Sequence, residues 1–168
     1  MSTFYISDTH FNHEKIIRLA NRPFENVADM NAAMVNNWNE VVTDDDNVYF
    51  LGDFAWSEHS YWFHLLNGRK FIIWGNHDQG AVDLPWADVY HYLELKDGPY
   101  NIVLFHYPIY EWNGLYKGYY HFYGHVHNDL KGYEKLGINW KARAFDVGVE
   151  ALNYYPQTAE EIIMQGNR

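Results

Sequence analysis

The sequence contains no cysteine among its 168 residues. This absence excludes disulfide bonds, thiolate metal ligands and cysteine nucleophiles, and it disfavours a small secreted scaffold. Long apolar runs are also missing, because no stretch of 18 or more apolar residues is present to form a transmembrane helix. The N-terminal segment MSTFYISDTH lacks the basic and apolar regions of a signal peptide. We therefore expect a cytoplasmic protein with no membrane partner.

Positive charge is scarce in this chain. Lys and Arg number 12 against 22 Asp and Glu, which gives a formal net charge of −10. An acidic surface opposes the binding of long DNA or RNA, so we expect no long nucleic acid as a partner. Bound divalent cations would offset part of this charge locally, so a small phosphoester is compatible with it. The composition does not determine the oligomeric state.

Apolar and aromatic residues are plentiful, at 48% and 19% of the chain, and a chain of this length suits one domain over residues 1–168. Apolar periodicity predicts helices over residues 14–20, 28–42 and 57–66, and the sequence TAEE predicts a capping box that opens a short C-terminal helix. The predicted strands cover residues 3–7, 48–51, 70–74, 89–95, 101–105, 119–123 and 144–149. Such alternation favours a layered α/β domain with mixed sheets.

Polar side chains follow five of the predicted strands. They are Asp8, Asp53, Asn76, His106 and His125, and each can bind a metal ion. In open α/β sheets, ligands bind beyond the carboxyl ends of the strands. We therefore expect the five side chains to converge on one crevice, since a surface turn would explain one such case but not five.

Two short triplets add further donors. Asp8 and His10 flank Thr9, and His125 and His127 flank Val126. In extended backbone, residues two apart point to the same side, so each triplet is predicted to offer two donors to one point. Carboxylate, amide and imidazole donors without thiolate suit Mn²⁺, Fe²⁺, Co²⁺, Ni²⁺ or Zn²⁺, and we favour Mn²⁺. Seven donors are too many for one tetrahedral ion, so we predict two divalent ions that share a bridging carboxylate.

These motifs together resemble those of the calcineurin-like metallophosphoesterases. In this chain they are Asp8-Thr9-His10, Gly52-Asp53, Gly75-Asn76-His77-Asp78, His106 and Gly124-His125-Val126-His127. The opening DTHFNH is similar to small single-domain bacterial and phage members of that family. The resemblance implies a four-layer α/β/β/α sandwich, made of two mixed sheets flanked by helices, with a dinuclear metal site at its edge.

The resemblance also implies a role for each motif residue. It assigns Asp8, His10 and His127 to one ion and Asn76, His106 and His125 to the other, with Asp53 bridging the two. Catalytic roles fall to His77, which would lie near the leaving group, and to Asp78, which would orient it. Asn76 and His77 are predicted to contact the substrate. His13, three residues after His10, is a further candidate substrate contact, with a solvated helix start as the alternative.

The implied reaction is hydrolysis of a phosphoester by a metal-bridging hydroxide, with His77 assisting the leaving group. Many phosphomonoesterases of the family carry an arginine soon after the GD motif, whereas GDFAWSEH has none here. This absence favours small phosphodiesters, nucleotide-like ones included, although Arg22 or Arg143 could supply the missing charge from elsewhere. Two alternatives are a phosphomonoesterase or nucleotide phosphatase, and a non-catalytic metal-binding scaffold of the same fold.

We expect substrate specificity to come from the loops at residues 54–60 and 107–118. The second loop contains the aromatic residues Tyr107, Tyr110 and Trp112 directly after His106. Such residues can stack on a nucleobase. We expect them to pack in the core, with base stacking as the alternative.

Overall fold

Nine strands and four α-helices are present in the part of the chain that the computed structural model describes, residues 1–129, 131, 140 and 142–166. The strands are β1 (Thr3–Ile6), β2 (Asn47–Phe50), β3 (Arg69–Ile73), β4 (Val89–Tyr90), β5 (Tyr92–Asp97), β6 (Tyr100–Phe105), β7 (Tyr120–Tyr123), β8 (Ala144–Asp146) and β9 (Gln157–Thr158). The first sheet has the order β4-β3-β2-β1-β9, and the second has the order β5-β6-β7-β8.

Both sheets are mixed. In the first sheet β1 to β4 are parallel and β9 runs antiparallel to β1. In the second sheet β6, β7 and β8 are parallel and β5 pairs antiparallel with β6. Neighbouring parallel strands end at the same edge of their sheet, so residues that follow β1, β2 and β3 lie together. The same holds for residues that follow β6 and β7.

The helices are α1 (Glu14–Leu19), α2 (Val27–Val41), α3 (His59–Leu65) and α4 (Ala159–Gly166). Helix α2 begins after Asn26, whose side chain accepts a hydrogen bond from the Asp29 amide at 2.9 Å. Its buried residues Met30, Met34 and Trp38 recur every fourth position and pack on the outer face of the first sheet. Helix α4 opens with the predicted capping box, since Glu161 accepts from the Thr158 amide at 2.8 Å.

The space between the sheets is filled by apolar side chains from both. Side chains from the two sheets form one cluster, and α4 packs against it. The first sheet and the residue after β2 contribute Tyr5, Leu51 and Ile73, and the second sheet contributes Ile102, Leu104 and Phe122. On the outer face of the second sheet, Val103 and Tyr123 pack with Trp112, Leu115 and Trp140. The predicted arrangement of two mixed sheets flanked by helices is therefore confirmed. The predicted core packing of the loop aromatics is correct for Trp112 and wrong for Tyr107 and Tyr110, which are exposed.

Two predicted strands differ from those observed. The strand predicted over 89–95 divides at His91, so that β4 joins the first sheet and β5 starts the second. The strand predicted over 144–149 ends at Asp146, after which the backbone turns to β1. The backbone amide of Ser7 donates to the Val147 carbonyl at 2.8 Å, and the backbone carbonyl of Ser7 accepts from the Val149 amide at 3.1 Å. These bonds join the two sheets at the edge where the donor residues lie.

The described helices include none that is both long enough and apolar enough to cross a membrane.

Candidate metal centre

Two groups of donor side chains lie at the edge where the strands of both sheets end. The first consists of Asp8, His10 and His127, and the second consists of Asp53, His106 and His125. Within each group the ligand atoms all lie within 4.8 Å of one another. The structure thus brings six of the seven predicted metal ligands into two adjacent groups, each able to hold a metal ion.

Asp53 belongs to the second group and also faces the first. Its Oδ2 is 3.5 Å from His10 Nε2 of the first group. Its Oδ1 is 3.7 Å from His106 Nε2 of the second group. One buried carboxylate therefore presents one oxygen to each group, which is the geometry that a bridging ligand requires.

Asn76, the seventh predicted ligand, joins the second group. Its side-chain oxygen is 3.1 Å from His106 Nε2 and 3.0 Å from His125 Nδ1. An amide oxygen and two imidazole nitrogens thus meet at one point with Asp53 beside them. This set of donors is suited to a divalent transition metal ion.

The backbone at the ligands differs from the extended form assumed for the two triplets. Five of the seven predicted ligands have positive φ: Asp8 at 57°, His10 at 48°, Asp53 at 61°, His125 at 71° and His127 at 49°. This left-handed region is uncommon outside glycine and concentrates at functional sites. The prediction that each triplet serves one point is correct for Asp8 and His10, but His125 and His127 belong to different groups.

Two glycines allow the metal-site carboxylates to approach the backbone. A Cβ atom on Gly75 would lie 2.5 Å from Asp53 Oδ1. A Cβ atom on Gly124 would overlap Asp8 Oδ2 and Ser7 Oγ. The glycines of GNHD and GHVH therefore give the carboxylates the room that any side chain would take.

Asp78 occupies a place different from the predicted one. Its buried carboxylate accepts hydrogen bonds from the backbone amides of Asp53 at 2.9 Å, Phe54 at 2.9 Å and Gly75 at 2.7 Å. Burial raises the pKa of Asp78, and these three amides only partly offset that rise. The hydrogen bonds of Asp78 join the loop after β2 to the loop after β3, whereas the predicted orienting contact was to the ring of His77. Asp78 thus fixes the backbone that carries Asp53.

His77 and His13 lie beside the first donor group. The backbone amide of His77 donates to Asp53 Oδ1 at 2.9 Å, and its exposed ring is 5.8 Å from the ring of His10. The ring of His13 is 5.6 Å from that of His10. Of these two predicted substrate contacts, His77 is exposed at the site and His13 is half-buried beside it; the third, Asn76, is also exposed.

The first donor group contains polar atoms that a cation would satisfy. Asp8 Oδ1 and His10 Nε2 are buried and make no hydrogen bond. Leaving such atoms without a partner costs free energy, about 1–3 kcal/mol each. Burial also lowers the pKa of His10 well below its usual value, so the ring is in the neutral form that binds metal. Burial raises the pKa of Asp8 to about 6, a change that a bound cation would reverse. These residues fit a divalent ion.

The sequence did not indicate the ion pair behind the first group. Glu150 Oε1 accepts a hydrogen bond from Arg22 Nε at 2.8 Å, forms an ion pair with Arg22 Nη2 at 2.8 Å, and lies 3.1 Å from His127 Nδ1. Burial alone would lower the pKa of His127, but the hydrogen bond to Glu150 and the charges of Asp8 and Glu150 together outweigh burial and raise that pKa. Glu150 therefore orients the ring of His127, with Nε2 left free for a metal ion.

Neither arginine named as a substitute phosphate clamp is free for that role. The buried guanidinium of Arg22 also donates to the backbone carbonyls of Asp8 at 2.7 Å and Thr9 at 2.8 Å. It therefore supports the left-handed turn at Asp8 from behind. Arg143 donates to the Gly118 carbonyl at 3.1 Å and lies over the ring of Tyr120.

No protein-family model matches the chain. The chain is 38% identical over 166 residues to the uncharacterized protein MJ1445 of Methanocaldococcus jannaschii, a match that covers 95% of this chain and 88% of the relative. The crystal structure of AQ665 from Aquifex aeolicus, a protein of unknown function, aligns with a TM-score of 0.75 at 25% identity over 97% of this chain and 98% of that one. A predicted phosphoesterase from Streptococcus pneumoniae TIGR4 reaches a TM-score of 0.40 at 16% identity over 74% of this chain and 61% of that one, a similarity too low to support a function. The long match at 38% identity shows that the chain belongs to the family of MJ1445.

Proposed function

We propose that this chain is a dinuclear metal-dependent phosphodiesterase that hydrolyses small phosphodiesters, nucleotide-like ones among them. The observation that carries the proposal is the position of Asp53, whose two oxygens face the two donor groups. A pair of metal ions held close together is a recurrent arrangement for hydrolysis of phosphoesters. The motif resemblance supports the same chemistry.

Each ion would have its own set of ligands and would share one carboxylate. The first would be held by Asp8, His10 and His127, the second by Asn76, His106 and His125, and both by Asp53. Bound there, two divalent ions would supply a water-derived nucleophile at neutral pH and positive charge for the phosphoryl oxygens. Their charge would exceed that of the two carboxylates, so the site would attract an anion even within an acidic chain.

We infer that His77 serves the leaving group. Its backbone amide is fixed by Asp53, and its ring lies on the exposed side of the first donor group. From there it can donate a proton to the oxygen that leaves phosphorus. Proton transfer of this kind contributes about 10²–10⁴-fold to the rate.

The choice of a diester rests on the charges around the site. A phosphate monoester carries a second negative charge that enzymes commonly bind with a bidentate arginine. The segment GDFAWSEH offers no arginine, and both Arg22 and Arg143 are engaged with other groups. A diester, with a single negative charge, does not need that clamp.

The test is a comparison of two chromogenic substrates with the Mn²⁺-reconstituted protein. We expect metal-dependent hydrolysis of bis-p-nitrophenyl phosphate to exceed that of p-nitrophenyl phosphate. Asp53→Asn should abolish it, whereas Asp83→Asn, which removes an exposed carboxylate, should leave it intact. Preference for the monoester would establish a phosphomonoesterase instead. No hydrolysis of either substrate with two ions bound would favour the non-catalytic scaffold.

A further inference from the structure

Trp56 is an exposed aromatic side chain at the mouth of the candidate site. It follows Asp53 by three residues, and 54% of its surface is accessible to solvent. Its backbone amide donates to the Phe11 carbonyl at 2.8 Å, next to the bridge that pairs Phe11 with Ala55. Its position is therefore fixed by the same segment that carries Asp53.

The indole ring of Trp56 is held in one orientation by its neighbours. It stacks on the imidazole of His13, with ring centroids 4.2 Å apart and planes inclined by 11°. The ring of His77 lies 5.9 Å away at an inclination of 51°. An aromatic surface that is exposed, stacked on His13 and next to His77 is suited to bind a flat ring by stacking.

Trp56 is separate from the other exposed apolar surface in this region. The exposed residues Tyr61 and Leu65 line a groove between α2 and α3, and Trp56 does not line that groove. The ring contacts of Trp56 are instead with His13 and His77, the two histidines beside His10 of the first donor group. This placement favours a small ligand in the site over a protein partner on the helices.

We propose that Trp56, supported by His13, is a stacking platform for a planar ring carried by the substrate, which is therefore an aryl or nucleoside phosphoester. The inference rests on the proposed function, because it places the ring beside the oxygen that His77 would protonate. His13 then acts on the substrate through Trp56. An uncharged platform of this kind selects the ring of the substrate and not its phosphate.

The test measures binding, so that it does not depend on turnover. Equilibrium dialysis of the Mn²⁺-loaded protein compares adenosine 5′-monophosphate with ribose 5-phosphate, which has the same phosphate but no base. Trp56→Ala should weaken binding of the nucleotide by about 5-fold to 150-fold, the range for one stacked base, and leave ribose 5-phosphate unchanged. Trp56→Phe should retain most of the affinity. Tyr61→Ala removes an exposed aromatic ring of the separate groove and should change neither ligand.

Other outcomes separate this inference from the proposed function. Equal weakening of both ligands by Trp56→Ala, or no weakening, would overturn the stacking platform. So would a wild-type protein that binds the nucleotide no better than the sugar phosphate. If any of these results is found together with diester hydrolysis, the proposed function stands and the stacking platform does not. A Trp56-dependent nucleotide preference without diester hydrolysis would leave the platform standing and overturn the proposed function.

Discussion

Replacing Glu150 by glutamine tests whether the buried ion pair positions the first donor group. Glu150 Oε1 accepts a hydrogen bond from Arg22 Nε at 2.8 Å, forms an ion pair with Arg22 Nη2 at 2.8 Å, and lies 3.1 Å from His127 Nδ1. Glutamine keeps one oxygen acceptor and the size of the side chain but removes the negative charge. The variant therefore leaves the guanidinium of Arg22, whose side chain is 0% exposed, without its counter-charge.

The size of the effect follows from the bonds that Glu150 makes. A hydrogen bond to a charged group contributes about 1.5–3 kcal/mol. Glutamine still accepts from the charged guanidinium but removes the carboxylate charge, so the variant should lower the free energy of unfolding by about 1–3 kcal/mol. Removal of the side chain by Glu150→Ala should cost about 3–5 kcal/mol, the range for a broken buried pair. Loss of a partner that orients a histidine ligand weakens metal binding by about 10-fold to 100-fold.

Two measurements on the same variant separate stability from positioning. Urea unfolding of the metal-free protein gives the free energy of unfolding, and titration with Mn²⁺ against a chelator gives the affinity for each ion. Glu150→Gln should lower both, with the loss of affinity confined to one of the two ions. Glu160→Gln removes an exposed carboxylate in the first turn of α4 and serves as the matched control.

A variant that binds both ions as tightly as the wild type would refute the positioning role of Glu150, whatever its stability. A double-mutant cycle adds a second criterion. If Glu150→Gln and His127→Ala have additive effects on metal-free stability, the contact between the two side chains contributes nothing, and the reasoning from the 3.1 Å distance fails.

Three further predictions concern single residues. His77→Ala should lower turnover by about 10²–10⁴-fold while metal analysis still finds both ions; equal loss of metal and activity would make it a ligand or structural residue. Asp53→Asn should lose tight binding of both ions by the same analysis, and a fully active variant with two ions would exclude bridging. Burial lowers the pKa of His121 from 6.5 to about 4. Between these two pH values, the unfolded chain therefore binds a proton on His121 that the folded chain does not bind. Stability should therefore fall by up to about 3 kcal/mol as the pH drops through this window. His121→Gln should reduce the change of stability with pH measured by urea unfolding, and His91→Gln, at an exposed position, should not. An unchanged pH dependence in His121→Gln would contradict the lowered pKa of His121.

Much of the site could be predicted because its donors follow apolar runs. Strand ends are visible in a sequence, and parallel strands place their carboxyl ends at one edge of a sheet. Asp8, Asp53 and Asn76 come after β1, β2 and β3, while His106 and His125 come after β6 and β7. The order of the residues along the chain was therefore enough to predict that these side chains converge.

Other features depend on contacts that sequence patterns do not encode. Arg22 and Glu150 are 128 positions apart, and only the folded chain brings them together behind His127. The hydrogen bonds of Asp78 to backbone amides depend on loop geometry, as do the left-handed turns at the ligands. The division of one apolar segment between two sheets at His91 leaves no break in the pattern. The cytoplasmic location, the choice of Mn²⁺ and the domain organisation stay predictions.

The central claim is that two ions share Asp53, and electron paramagnetic resonance of the Mn²⁺-loaded protein tests it most directly. A carboxylate that bridges two Mn²⁺ ions couples their spins. We predict two Mn²⁺ per chain and the multiline spectrum of an exchange-coupled pair, converted by Asp53→Asn into weak binding of uncoupled ions. A spectrum of isolated Mn²⁺ from the fully loaded wild-type protein, or saturation at one ion per chain, would contradict the account.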